Sequence, residues 1–310
     1  MARYLVTGGA GFIGSNIAEA LVRRGEEVVV FDDLSTGYEK NISHIRDALT
    51  FVRGDIRDEK AVRGAMAGVD YVLHQAALAS VPRSIEDPVL VTDVNLRGTL
   101  VVLEEARRAG VKRLVYAASS SAYGDSETLP KIETMAPQPL SPYAASKLAG
   151  EHYCSVYARV YGLPTVSLRY FNIFGPRQDP RSQYAAVIPI FASHLIAGTR
   201  PTIYGDGEQS RDFTFIENVV DANIRASLCA EARGQVVNIA CGARYTLNEL
   251  FGMMRDELGS SIEPRYAPAR QGDVKHSHAD ISAARGLLGY EARVPFAEGL
   301  AKTLAWYRRA

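Results

Sequence analysis

The stretch Tyr4-Leu5-Val6-Thr7-Gly8-Gly9-Ala10-Gly11-Phe12-Ile13-Gly14 constrains the chain more than any other, because it reads as a short apolar strand, a glycine-rich turn and the first turn of a helix. Gly8, Gly11 and Gly14 stand at GxxGxxG spacing. That spacing lets the backbone turn tightly, approach a pyrophosphate with no Cβ between, and pack the helix closely on the strand. The N–H groups of Phe12, Ile13 and Gly14 at the helix start then face the phosphate charge. A glycine triplet alone is equally a plain turn, so its surroundings decide. A second apolar strand ends in Asp32-Asp33, and Asp32 lies 18 residues beyond Gly14 (32 − 14). An acidic side chain there accepts hydrogen bonds from a ribose diol and repels a 2′-phosphate, which favours NAD over NADP. The alternative for Asp32 is a turn cap within Asp32-Asp33-Leu34-Ser35-Thr36-Gly37.

Apolar strand patterns near 3–7, 27–32, 50–53, 70–74, 113–118 and 165–170 alternate with helical stretches. Such alternation predicts an α/β, Rossmann-type doubly wound parallel sheet, with ligands beyond the carboxyl ends of the strands. Asp55-Ile56 follows the third strand, where Asp55 is placed to meet an adenine amino group; a helix cap is the alternative for the aspartates there. Gln75-Ala76-Ala77 follows the fourth, with small residues that let the backbone pass close to a dinucleotide. Asn95 is either a strand-to-helix clamp or a surface polar residue, and His74 packs or satisfies a backbone group. After about residue 171 the alternation fails, which predicts a smaller α/β lobe at the carboxyl edge of the sheet. Residues 217–240 read again as helix then strand. The expected division is 1–170 plus about 217–241 for the sheet domain, and about 171–216 plus 242–310 for the lobe.

Lysine plus arginine (35) equals aspartate plus glutamate (35), so no global field favours nucleic acid or an anionic membrane surface. Cys154, Cys229 and Cys241 are widely spaced with no CxxC pair, which argues against a disulfide frame or a zinc site. No apolar run approaches the roughly 18 residues that span a bilayer. The expectation is a cytoplasmic protein without a membrane or nucleic-acid partner.

Tyr143-Ala144-Ala145-Ser146-Lys147 follows the proline-rich run 137–142, which fixes where Tyr143 emerges. At a helix start, a spacing of four puts phenol and ammonium on one face. A neighbouring cation is expected to lower the phenol pKa from its usual value near 10 towards that of a useful base. Ser119, at the end of the fifth strand, places a hydroxyl to share the hydrogen bond to the same substrate oxygen.

These motifs, with the run Ala118-Ser119-Ser120-Ser121-Ala122-Tyr123-Gly124, resemble the extended short-chain dehydrogenase/reductases, and among them the nucleotide-sugar 4-epimerases. The resemblance covers essentially the whole chain. It implies tightly held NAD and a cycle in which Tyr143 takes the proton of the sugar 4-hydroxyl while C4 gives up hydride. The 4-keto sugar then turns over and receives the hydride on its other face. It also implies that Tyr170 joins the cofactor contacts. Related 4,6-dehydratases carry Asp-Glu where this chain has Ser120 and Ser121, and UDP-glucuronate decarboxylases carry a glutamate at Ser121. Without those carboxylates the chemistry should stop at the 4-keto stage and reverse.

By the same resemblance Ser119, Ser120, Asn172, Val187, Ile188, Tyr204, Arg211, Arg270 and Asp273 hold the UDP-sugar. Arg211 and Arg270 would grip a diphosphate with forked donors, although solvated surface arginine is the commoner fate of any single one. Ser277 falls at the position of the family's gate residue, where a serine leaves room for an N-acetyl group; otherwise it is merely small and exposed. With Pro176-Arg177-Gln178-Asp179-Pro180 and the run 184–189, it points to UDP-N-acetylhexosamines. UDP-glucuronate 4-epimerases also have small gates, but they show Arg-Pro-Asp after the Arg-Gln where this chain has Asp179-Pro180-Arg181. Helices around 90–108 and 146–161 would pair two copies into a homodimer. A non-catalytic NAD-sensing module is the reading from another class, and it typically lacks the Tyr/Lys pair.

Overall fold

In the computed structural model the described residues are 1–180, 186–269 and 275–309. The first half alternates β1 (Arg3–Thr7), α1 (Phe12–Arg23), β2 (Glu27–Asp32), β3 (Thr50–Arg53), α2 (Glu59–Ala65), β4 (Tyr71–His74), α3 (Val81–Glu86), α4 (Pro88–Thr92), α5 (Gly98–Arg108), β5 (Arg113–Ser119), α6 (Pro142–Val160) and β6 (Thr165–Tyr170). The strands fall where the apolar runs place them, because β1, β2 and β6 are buried along nearly their whole length, as parallel strands between helical layers must be, while edge strand β3 stays partly open. Then follow β7 (Ile173–Phe174), α7 (Val187–Ile196), β8 (Thr202–Tyr204), β9 (Ser210–Arg211), β10 (Thr214–Phe215), α8 (Ile216–Leu228), β11 (Gln235–Ile239), β12 (Tyr245–Thr246), α9 (Leu247–Leu258), β13 (Arg265–Ala267), α10 (Ser282–Leu288) and α11 (Phe296–Tyr307).

One seven-stranded parallel sheet runs in the order β11-β6-β5-β4-β1-β2-β3. Strand order reverses between β1 and β4, so a crevice opens beyond their carboxyl ends, where Gly8 and Gln75 stand. The seventh strand is the return expected from 217–240, since β11 lies parallel to β6. Three two-stranded sheets, β7 with β10, β9 with β12 and β8 with β13, make up the smaller elements.

Helix starts follow local chemistry. Ser141 accepts the Ala144 N–H and Pro142 occupies the first turn of α6, which sets Tyr143 at the helix entrance. Asp58 accepts the N–H groups of Lys60 and Ala61 at α2, so the aspartate that caps there is Asp58 rather than Asp55. Among the described residues no helix is long and apolar enough to cross a membrane.

Candidate active site

The glycine turn is fixed by close backbone approach. Gly8 has φ +65°, and a Cβ there would stand 2.7 Å from the Ala76 nitrogen; one on Gly14 would stand 2.2 Å from the Gly8 oxygen. At Gly11 the one near neighbour of a Cβ is the Gly8 oxygen, at 3.2 Å, so this side of the turn is otherwise open. The result is a cradle that side chains would fill, at the amino end of a 12-residue helix, and it fits the pyrophosphate of a dinucleotide. Phe12 and Ile13 are half-buried in the first turn.

Asp32 is buried. Its Oδ2 accepts the Ala10 N–H (2.9 Å) and its Oδ1 the Leu34 N–H (2.8 Å), so the turn-cap alternative is realised together with a tie to the glycine loop. Burial raises its pKa. Asp33 accepts the Ser35 N–H. Asp55 is engaged by Arg57, which also reaches Asp93, and that guanidinium holds the Asp55 carboxyl below the usual range. Ile56 is buried, and a Cβ on Gly98 would meet its Cδ1 at 2.5 Å; the side chain belongs to the core and offers the crevice only its backbone.

Gln75 and Tyr170 are brought together: the Tyr170 hydroxyl donates to Gln75 Oε1, and Asn223 bonds both. Ala76 N–H donates to Thr7 Oγ1, and Ala77 lies half-buried beside it. Asn95 is the clamp and not the surface residue. It is 1% exposed, accepts the Leu78 N–H, and donates to Leu78 O and to Ser146 on α6. His74 is buried between the hydroxyls of Thr7 (2.6 Å) and Thr99 (3.0 Å), so side chains rather than a backbone group satisfy it. Burial, with Lys147 adding to it, drives its pKa to about 3, so the ring is neutral.

Tyr143 and Lys147 lie one turn apart on α6, and the Ser119 hydroxyl at the end of β5 stands near enough to the phenol to favour its charged form. Ser119 Oγ also meets Ser121 Oγ at 2.8 Å, and Ser120 is half-buried next to them. The expectation that the ammonium lowers the phenol pKa is corrected. Burial raises it and outweighs the neighbouring Ser119 hydroxyl, which works the other way. Lys147 is itself buried, with its Nζ 4.5 Å from the centre of the Tyr116 ring, and burial lowers its pKa to about 8. A lysine pKa below its unfolded value of 10.5 carries a penalty that is full below pH 8 and fades as pH rises towards 10.5. Lys147→Met should therefore stabilise the cofactor-free protein at neutral pH by on the order of 1–3 kcal/mol. Urea denaturation at pH 7 and at pH 10 checks this, the gain being lost at the higher pH.

Asn172, Val187, Ile188, Tyr204 and Arg211 all line one cavity of about 400 Å³, with Phe191, Gln209 and Phe213 among its other walls. Ile188 is buried, so of the pair Val187 is the more open. Arg211 Nη1 donates to Ser210 O and Lys275 O. Asn172 has φ +37° and donates from Nδ2 to Asp212 O (3.0 Å) and to Ser277 Oγ (2.9 Å). Ser277 is thus half-buried and held, not merely small and exposed. Arg270, Asp273, Arg181 and Tyr184 lie outside the described residues. Two residues with no assigned part shape the site. Fully buried Asp212 accepts the N–H groups of Cys241, Gly242 and Ala279, with burial pushing its pKa up to about 6, and Asn223 completes the triangle with Gln75 and Tyr170. A polar residue in a helical or strand-edge pattern carries no local sign of such a role.

Residues 4–240 match the NAD dependent epimerase/dehydratase family. The chain is 40% identical over 311 residues to a UDP-glucose 4-epimerase of Mycolicibacterium smegmatis, covering 99% of this chain and 98% of that one. Among solved structures it is similar to a UDP-N-acetylglucosamine 4-epimerase from Methanobrevibacter ruminantium in complex with UDP-N-acetylmuramic acid (TM-score 0.95, 39% identity, 99% and 98% coverage). It is also similar to a Thermus thermophilus UDP-glucose 4-epimerase complex with NAD (TM-score 0.90, 40% identity, 99% of both chains).

Proposed function

The chain belongs to the NAD dependent epimerase/dehydratase family, an NAD-dependent group of enzymes, and from that premise we propose that it inverts C4 of a UDP-sugar, taking both UDP-N-acetylhexosamines and unsubstituted UDP-hexoses. The observation that carries this reading is the convergence of Tyr143, Lys147 and Ser119 beyond β5 with no carboxylate at Ser120 or Ser121. NAD, when bound, would supply the acceptor and then the donor of hydride for the sugar C4. Gly8, Gly11, Phe12, Ile13 and Gly14 would hold its pyrophosphate, Asp32 its ribose, and Asp55, Ile56, Gln75, Ala76, Ala77 and Tyr170 the remaining walls. Tyr143 accepts the proton of the 4-hydroxyl and gives it back to the same oxygen once the 4-keto sugar has turned over, with Ser119 sharing that oxygen. Asn95 steadies the entrance of α6 through Ser146, whose Oγ donates to Tyr143 O, and Lys147 supplies a buried cation one turn on. The crevice division of labour is 1–170 plus about 217–241 for cofactor and the remainder for substrate.

Asn172, Val187, Ile188, Tyr204 and Arg211 would take the UDP, with Arg270 and Asp273 completing its grip. Ser277 sets the sugar range. Ser277→Tyr should abolish turnover of UDP-GlcNAc by at least about a hundredfold and spare UDP-glucose, because an added ring fills the space an N-acetyl group needs while a roomy pocket does not reject the smaller sugar. Separation of C4 epimers after incubation with each substrate tests it, and equal losses on both would refute a gate at Ser277. Exposed Val89 on α4 and Tyr153, Val156 and Val160 on α6 support a homodimer through these helices, and the enzyme is proposed to work in the cytoplasm.

A further inference from the structure

In the segment Pro176–Asp179 after β7, three residues reach back across more than a hundred positions to the walls of the dinucleotide crevice, and Gln178 is held from α11. Pro176 O accepts Asn16 Nδ2 on the first turns of α1 (3.3 Å). Arg177 Nη1 donates to Ser15 O (3.1 Å) and Asn41 O (3.3 Å), and its Nη2 pairs with Glu19 on α1. Asp179 accepts the Tyr38 hydroxyl (2.8 Å), and Gln178 O accepts the Tyr307 hydroxyl (2.5 Å) from α11. Arg177 sits at φ +73°, a left-handed conformation that a non-glycine residue keeps only where its surroundings over-determine it.

These bonds lead directly to the cradle. Asn41, whose carbonyl Arg177 holds, donates its amide to Ala10 O (2.9 Å), and Tyr38 N–H donates to the same oxygen (3.0 Å). Ala10 N–H in turn donates to Asp32. Three links thus connect Arg177 to the carboxylate facing the ribose, and Ser15 and Glu19 belong to the helix whose start faces the pyrophosphate. Arg177 and Glu19 are both largely buried, at 14% and 11% side-chain exposure, so water competes poorly for their pairing.

We propose that Pro176–Asp179 is a retention strap, and that Arg177 is a positioning residue which fixes α1 and the 38–41 wall around bound NAD and so sets how slowly NAD leaves. The proposal rests on the reading that the glycine cradle seats NAD and goes beyond it in assigning the release barrier to a segment that touches no reacting atom. A barrier of this kind suits an enzyme whose cofactor is regenerated in place.

The test loads purified holoenzyme with labelled NAD and chases with unlabelled NAD. Arg177→Met and Glu19→Gln should each lose label about tenfold faster than wild type or more, the scale of one charge-assisted hydrogen bond. The double variant should exceed the faster single by no more than about threefold, because the Arg177–Glu19 pair is already broken in either single. Arg177→Lys, a milder change, keeps the charge without the fork and should fall between. Turnover per mole of bound NAD should stay within about threefold of wild type throughout, since the strap touches no reacting atom. Val111→Ala, which trims the core at the opposite, amino-terminal ends of the strands, should lower thermal stability and leave the exchange rate unchanged. Unchanged exchange in Arg177→Met, or equal acceleration in Val111→Ala at matched stability, overturns the strap. A wild-type protein that binds no dinucleotide overturns the strap and the cofactor seat together, and is recognised before any chase begins.

Discussion

Tyr143→Phe is expected to lower kcat about a thousandfold or more while the purified protein keeps its NAD, because a positioned general base contributes on the order of 10²–10⁴. The substitution keeps the ring at the entrance of α6 and removes one oxygen. Among the described residues, neither Ser119, tied to Ser121, nor His74, sealed between two threonines, stands ready to take its place. Burial raises the Tyr143 pKa, so the phenolate is disfavoured in the bare crevice. The positive charge of oxidised NAD, when bound, would favour it. A module that only sensed NAD would show the same cofactor response with phenylalanine as with tyrosine. Steady-state turnover together with the NAD content of the variant checks the prediction.

Arg169→Met is the second change with a large expected effect. Arg169 on β6 pairs with Glu151 on α6 through two bonds (2.9 and 2.6 Å), and both are almost completely buried. The guanidinium also lies 4.6 Å from the centre of the Tyr123 ring, while its Nη1 has no hydrogen-bond partner. Removing the arginine leaves a carboxylate buried without its cation, which costs about 3–5 kcal/mol. Replacing both residues by methionine should recover most of that loss, because the desolvation of two charges is removed along with their attraction. Urea denaturation of the two variants measures the difference. The pair also docks α6 on the sheet one turn beyond Lys147, so the single variant should lose activity together with stability.

The fold was legible because its signals are local. Buried parallel strands announce themselves as apolar runs, and Gly11 and Gly14 meet backbone only a few residues away, although Gly8 is demanded by the distant backbone of Gln75 and Ala76. Tyr143 and Lys147 were readable for the same reason, since helical spacing alone puts them on one face. What the residues hid was apposition at long range. Nothing beside Glu151 or Arg169 in the chain marks them as partners, and only packing of α6 on β6 makes them a buried pair. Asn172 and Ser277 are 105 positions apart and meet only because 275–277 lies against Ser210. Arg177 needed a left-handed backbone that no local residue pattern signals. The direction of the Tyr143 pKa shift was misjudged because spacing shows a neighbouring charge and conceals the burial that outweighs it.

The most direct test of the account is incubation of the purified protein with UDP-GlcNAc and with UDP-glucose separately, without added NAD, followed by separation of the C4 epimers and measurement of bound cofactor. The account predicts that each substrate yields its galacto epimer, with about one NAD per chain and no net reduction of it over many turnovers. Protein that carries NAD yet forms neither epimer would contradict it.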